Sequence, residues 1–195
     1  MAFSSKRGDA GYNDRSARSI SLGNSTGDTM EFHVGDPVMH WTYGFGHVVG
    51  IEERAIADRK GLYYAISIRD LTVWVPLDDQ LKFRLRPPTQ KNGFKELFAI
   101  LTGSSEPLPI DRQKRKLWLV EKLKDGKAAS LCHALRDLVT HQQAYSVNYN
   151  DENLMKRLRE ALLGEWSYAF AVPVSEAEGE LFRMLAIGTT SEGKK

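Results

Sequence analysis

The sequence predicts an α+β protein in which a small, strongly bent antiparallel β-barrel is followed by an all-α helical domain. Three observations predict it. Between Phe32 and Pro76, short runs of β-branched and aromatic residues are separated by glycine-containing or polar turns. At Pro87-Pro88 two successive residues lack a backbone donor, which breaks regular pairing. From Asn92 onward, apolar residues recur at three- and four-residue spacing, the period of a helix packed on one face. The expected organisation is a disordered tail at 1–30, the barrel at 31–88, the helical domain at 89–187 and a flexible C-terminus at 188–195.

Within the barrel, Val34-Gly35-Asp36-Pro37 reads as a turn entering a strand over Val38 to Trp41. Tyr43-Gly44-Phe45-Gly46 turns the chain into a second strand, His47 to Glu53, with Val49 and Ile51 on one face. The polar turn Ala57 to Gly61 leads to a third strand, Leu62 to Ile68, and Arg69-Asp70 makes a tight turn before Leu71 to Val75. Phe83 to Arg86 is a candidate fifth, closing strand. Short strands on short turns suit a compact SH3- or Tudor-like barrel.

The helical part begins with Gly93 to Leu101, capped by Asn92 and stopped by Gly103. Ser104 to Ile110, with Pro107 and Pro109, is a stiff connector. Asp111 is the expected N-cap of a helix to about Lys124, with Leu117, Val120 and Leu123 at helical spacing. Ala128 to Tyr145 forms the next, with Leu131, Leu135, Leu138 and Val139 on one face and Arg136 and Asp137 outside. Asn150 or Asp151 caps a long helix whose stripe is Leu154, Leu158, Ala161, Leu162 and Trp166; after Pro173, Ser175 opens a last short one.

The 195 residues, 42% of them apolar, suffice for a buried core. Cys132 is the only cysteine, which excludes an internal disulfide framework and a multi-cysteine metal site and fits a reducing cytoplasm. No run approaches the roughly 18 apolar residues that a membrane span needs, and no apolar core of signal-peptide type opens the chain. The expectation is a soluble protein with no membrane association, monomeric when free. Net charge is only +2, but it is unevenly placed: −1 over 31–88 and +4 over 89–146. A local excess of that kind is the form an electrostatic nucleic-acid footprint takes. It is also the form of many solvated helix faces.

No constellation has the spacing of a catalytic or metal site, so no catalytic residue, metal or cofactor is expected. His33, His40 and His47 fall on different strands or turns. Cys132 and His133 diverge on a helix, and the adjacent pairs Glu52-Glu53 and Asp78-Asp79 point to opposite faces when extended. Tyr43 to Gly46 lacks the Gly-Lys-Ser/Thr of a phosphate loop. The candidate that remains is the basic helix with Arg112, Lys114, Arg115 and Lys116 close to Trp118, followed by Lys122, Lys124 and Lys127. It reads either as a solvated face or as a phosphate-tracking helix.

The order F-x-V-G-D-P-V (Phe32 to Val38), Y-G-F-G-x-V-x-G-I-E (Tyr43 to Glu52), Y-Y-x-I-x-I (Tyr63 to Ile68) and L-T-V-x-V-P (Leu71 to Pro76) resembles the RNA-polymerase-interacting domain of the CarD/CdnL family. Phe83-Arg84-Leu85-Arg86 is similar to its closing G-L-R segment. The resemblance implies a bacterial transcription regulator, cytoplasmic and associated with the nucleoid through the polymerase. Such a protein binds the RNA polymerase β subunit through a Tudor-like barrel and promoter DNA through the helical domain, and stabilises the open complex. Of the family's two polymerase-binding arginines, one matches Arg54 and the other falls at Trp74. At the family's DNA wedge tryptophan this chain has Arg112; Lys114 and Arg115 match the basic pair that follows it, and Trp118 is the nearest tryptophan. A protein-interaction adaptor that docks on RNA polymerase or another partner without touching DNA is the alternative reading.

Overall fold

The computed structural model describes residues 31–56 and 59–190. The expected tail at 1–30 and the last five residues of the expected flexible C-terminus lie outside them. As the sequence predicts, an antiparallel sheet comes first and helices follow.

The sheet contains β1 (Pro37–His40), β2 (Gly44–Ile56), β3 (Arg59–Ile68), β4 (Leu71–Pro76) and β5 (Leu85–Arg86), in the order β4-β3-β2-β1-β5. Its edges are β4 and β5. A register shift between Val48 and Gly50 marks a bulge in β2, a feature that bends a strand and increases its twist. Beyond it the hairpin runs out to the pair Ile56↔Arg59, further than the predicted end at Glu53. Cross-strand pairing of Lys60 with Glu53 at 3.3 Å supports that extension. The fifth strand is shorter than expected, because Phe83 belongs to a single helical turn, α1 (Leu81–Arg84), that precedes it. Phe32, Val38, Val48, Tyr64, Ile66, Ile68, Val75, Leu81 and Leu85 form the core beneath the sheet.

Five longer helices follow: α2 (Phe94–Thr102), α3 (Arg112–Leu123), α4 (Ala128–Ala144), α5 (Tyr149–Phe170) and α6 (Val174–Thr190). Their leucines, with Phe94 and Trp166, build a second core that Met39 of β1 also enters. Phe94, Phe98, Trp166 and Phe170 pack ring on ring there.

Several helical details depart from the sequence reading. Asn92 lies inside a 3₁₀ turn, Lys91–Gly93, and provides no side-chain cap to α2. The cap of α5 is Asn148, whose Oδ1 accepts from the N–H groups of Asn150 and Asp151; Asp151 is thereby free to turn its carboxylate elsewhere. On α3, Leu117 and Val120 are exposed, and Arg115 and Leu119 face inward. On α4, Arg136 and Asp137 are buried, because they pair with each other and Arg136 also donates to the Ile100 carbonyl. The last helix is long, at 17 residues. Gly188, expected to fray, is packed so closely that a Cβ would lie 3.1 Å from the Leu101 and Gly103 carbonyl oxygens.

Sheet and helices meet along one face of α5. At Gly44, with φ of 87°, an added Cβ would stand 3.1 Å from the Ala161 Cα, and at Gly164 it would stand 3.0 Å from the Phe45 Cβ. Phe45 stacks on Tyr168 with centroids 4.9 Å apart. Beside them the fully buried Glu165 accepts from Arg86 Nη1 at 2.5 Å, Arg86 Nη2 at 2.9 Å and the Thr89 N–H at 2.6 Å. Arg86 Nε donates to the Gly126 carbonyl oxygen at 2.9 Å. At the rim Arg69, in a left-handed turn with φ of 52°, pairs with Glu160 at 2.9 Å.

Candidate docking platform and basic cleft

Strand alternation places one row of side chains on the outer face of the sheet. Trp74 is opposite Ala65, Pro76 is opposite Tyr63, Tyr63 is opposite Glu52, and Arg54 is opposite Gly61. Gly61 and Ala65 leave room between the larger side chains. The Arg54 guanidinium fills it, with Cζ 3.5 Å from the Trp74 ring centroid. Its Nε donates to Glu52 Oε2 at 3.2 Å. A cation over an indole face at a half-exposed site contributes roughly 0.5–1 kcal/mol. The larger effect is geometric, since stacking and ion pair together hold a long side chain in one rotamer on an open surface. Arg54 and Trp74, which the sequence could place only on separate strands, therefore form one platform.

The basic helix divides. Asp111 caps it as expected, accepting from the Lys114 N–H at 2.9 Å. Arg112, Lys116, Val120 and Lys124 follow one another at four-residue spacing along a single exposed stripe. Lys114 is exposed on another side, and Trp118 is half-buried against the helical core, with the Lys122 ammonium 5.2 Å from its centroid. Arg115 is the correction. It is 2% exposed: Nε and Nη2 donate to Asp151 Oδ2 at 2.9 and 2.7 Å, and Nη1 donates to the carbonyls of Pro109 and Ile110. With those donors committed inside the fold, Arg115 holds the connector and α5 against α3 and offers nothing to a phosphate.

The exposed stripe of α3 forms one wall of a cleft of about 1680 Å³. The first turns of α5, including Tyr149, Asn153, Lys156 and Arg157, line it from the helical side. From the sheet side it is lined by Trp41, Thr42, Gln80, Phe83 and Arg84. Sequence reasoning missed this assembly, since the members named come from four separate stretches; only the aromatic at position 41, at the end of the predicted first strand, was a local signal.

The histidines go to unrelated places. His33 and His47 are exposed. His40 is buried, and its Nδ1 accepts from the Thr42 and Tyr43 N–H groups, which requires neutral imidazole. Burial, and then the neighbouring Arg84 charge, hold its pKa down at about 4. Burial also lowers His133 and His141, with help from Arg136 and Arg115 respectively. Cys132 is pushed up to about 12 by burial and then by Glu165, against the opposing charges of Arg86 and Arg136. No group of three His, Cys, Asp or Glu side chains able to hold a metal ion occurs among the described residues, and no described helix is long and apolar enough to cross a membrane.

The small sheet thus presents a pinned arginine–tryptophan pair on its open face and is joined to a helical layer. Residues 32–87 match the family model of the CarD-like/TRCF RID domain. Over these residues the chain is similar to a CarD-like RNA-polymerase-interacting domain, and the match supports interaction with RNA polymerase.

Proposed function

We propose that the protein is a CarD-like transcription regulator that docks on the β subunit of RNA polymerase through Arg54 and Trp74. The helical region, 89–187, lies on promoter DNA through Arg112, Lys114 and Lys116, with Trp118 set apart from them against the helical core, and modulates the stability of the open complex. The observation that carries this reading is the Arg54–Trp74 stack on the outer face of the family-matched sheet. Solvent-facing aromatic and arginine side chains that are fixed before binding are the composition of interface hot spots. The DNA half rests on cations of α3 that have no carboxylate partner among the described residues, Arg112, Lys114 and Lys116.

The test is co-purification with RNA polymerase. Arg54→Glu and Trp74→Ala should each lower recovery of the complex by at least tenfold, and unchanged recovery of both would sink the docking assignment. Binding to a promoter duplex should weaken steeply with salt, as counterion release requires. A protein that binds polymerase but shows no salt-dependent DNA binding is the adaptor instead.

A further inference from the structure

The cleft between the sheet and the start of α5 has a composition that phosphate contact alone does not explain. Its lining brings together the cations Arg69, Arg84, Arg112, Lys116, Lys124, Lys156 and Arg157. Against them stand two carboxylates: Asp151, committed to Arg115, and Glu160, committed to Arg69. Arg84 and Lys124 have partners in Asp78 and Glu121, while Arg112, Lys116, Lys156 and Arg157 have no ion-pair partner among the described residues. The walls are therefore strongly electropositive, in a concavity that concentrates the field.

Three rings at this cleft are open to solvent: Trp41 is 58% exposed, Phe83 51% and Tyr149 76%. None is needed to fill either core. Trp41 and Phe83 flank the turn at Gly126, where α3 passes to α4; Tyr149 is the first residue of α5. A paired duplex offers phosphate to the cations and leaves such rings without partners. Unpaired bases offer both phosphate and π-faces, and cations interleaved with aromatic platforms are how single strands are held without sequence preference.

We propose that this cleft binds single-stranded DNA, its phosphates against Arg112, Lys116, Lys156 and Arg157 and its bases on Trp41, Phe83 and Tyr149. This deepens the DNA-contacting reading and rests on it: the melted strand enters the cleft, while duplex stays at its mouth, on Lys114 and the α3 cations Arg112 and Lys116, without reaching the rings. Sheet and helices then form the site jointly, so the polymerase-docking unit supplies one wall of the DNA site.

Fluorescence anisotropy on the full chain tests it, with a labelled single-stranded deoxyoligonucleotide, the duplex of the same sequence and the matching ribo-oligonucleotide, each across a salt series. The single strand is expected to bind more tightly than the duplex. Trp41→Ala and Tyr149→Ala, both at exposed positions, should each weaken the single strand roughly tenfold and leave the duplex within about twofold. Lys156→Ala combined with Arg157→Ala should lower the salt slope for the single strand by about one to two. Duplex binding that equals or exceeds single-strand binding, ring substitutions that weaken both alike, or tighter binding of the ribo-oligonucleotide would overturn the proposal. In the first two cases the promoter-binding reading stands; absence of binding to either DNA would overturn that reading too.

Discussion

Substitution of Glu165 tests whether the sheet and the helices are held together by one buried carboxylate. Glu165 is fully buried and satisfies both terminal nitrogens of Arg86 and the Thr89 N–H. Glu165→Ala leaves the Arg86 guanidinium with one carbonyl from Gly126 and one from Pro87, but no counter-charge. Breaking a buried pair by removing one partner costs about 3–5 kcal/mol. An orphaned Thr89 donor adds roughly 1 kcal/mol or more. With a urea m-value of about 2 kcal/mol/M, a loss of about 4 kcal/mol moves the midpoint down by about 2 M. Most of that cost is the stranded charge and not the lost attraction, so Arg86→Met combined with Glu165→Leu should recover most of the stability. Urea unfolding followed by far-UV circular dichroism reads all three variants. A Glu165→Ala protein within about 1 kcal/mol of the parent, or a double variant no better than the single one, would refute the reasoning.

Other expectations follow from the same geometry. Arg115→Met should destabilise by about 3 kcal/mol, because Asp151 is left buried with only Asn148 to donate a side-chain hydrogen bond; Arg115→Met with Asp151→Leu should regain much of this in the same urea assay. His40 titrates at about 4 in the fold against an ordinary 6.5, so its contribution is complete above pH 6.5 and is lost as pH falls through 4. Melting temperatures from pH 7 to pH 4 should therefore fall less steeply in His40→Gln, and parallel curves would contradict the assignment. Cys132, with its thiol raised to about 12, should resist maleimide at pH 8 in the folded protein and react promptly in urea. Gly44→Val should fail to fold at 37 °C or lose several kcal/mol, since the left-handed φ and the Ala161 backbone 3.1 Å away both exclude a branched side chain.

The sheet was legible because its information is local. Alternation, glycine turns and Pro87-Pro88 each act within a few residues, and so does the Asp111 cap of α3. Arg115, Arg136 and Glu165 were not legible, for a shared reason. A charge at helical spacing reads as solvated, and what reverses that reading is a partner elsewhere in the chain: Asp151 lies 36 positions from Arg115, and Arg86 lies 79 positions from Glu165. Burying Arg115 also rotates α3, which carries Leu117 and Val120 outward and separates Lys114 and Trp118 from the cleft-facing Arg112 and Lys116. One unanticipated ion pair thus changed the composition of the candidate DNA surface. Arg54 and Trp74 were found as single positions, and their stacking depended on the register of three strands.

The seam at Gly44, Ala161 and Gly164 bears on mechanics as well as packing. Backbone approaches backbone at Gly44 and Ala161, and at Gly164 the helix backbone meets the Phe45 side chain directly, so the seam is closely packed and has little slack to absorb a twist. On the docking proposed above, a torque applied at the Arg54–Trp74 face would be passed across this seam into α5, and the molecule would work as a lever with its pivot outside itself, at the surface that holds the sheet. Adding a single methyl group at Gly164 would act as a shim, altering the lever's angle without touching either end.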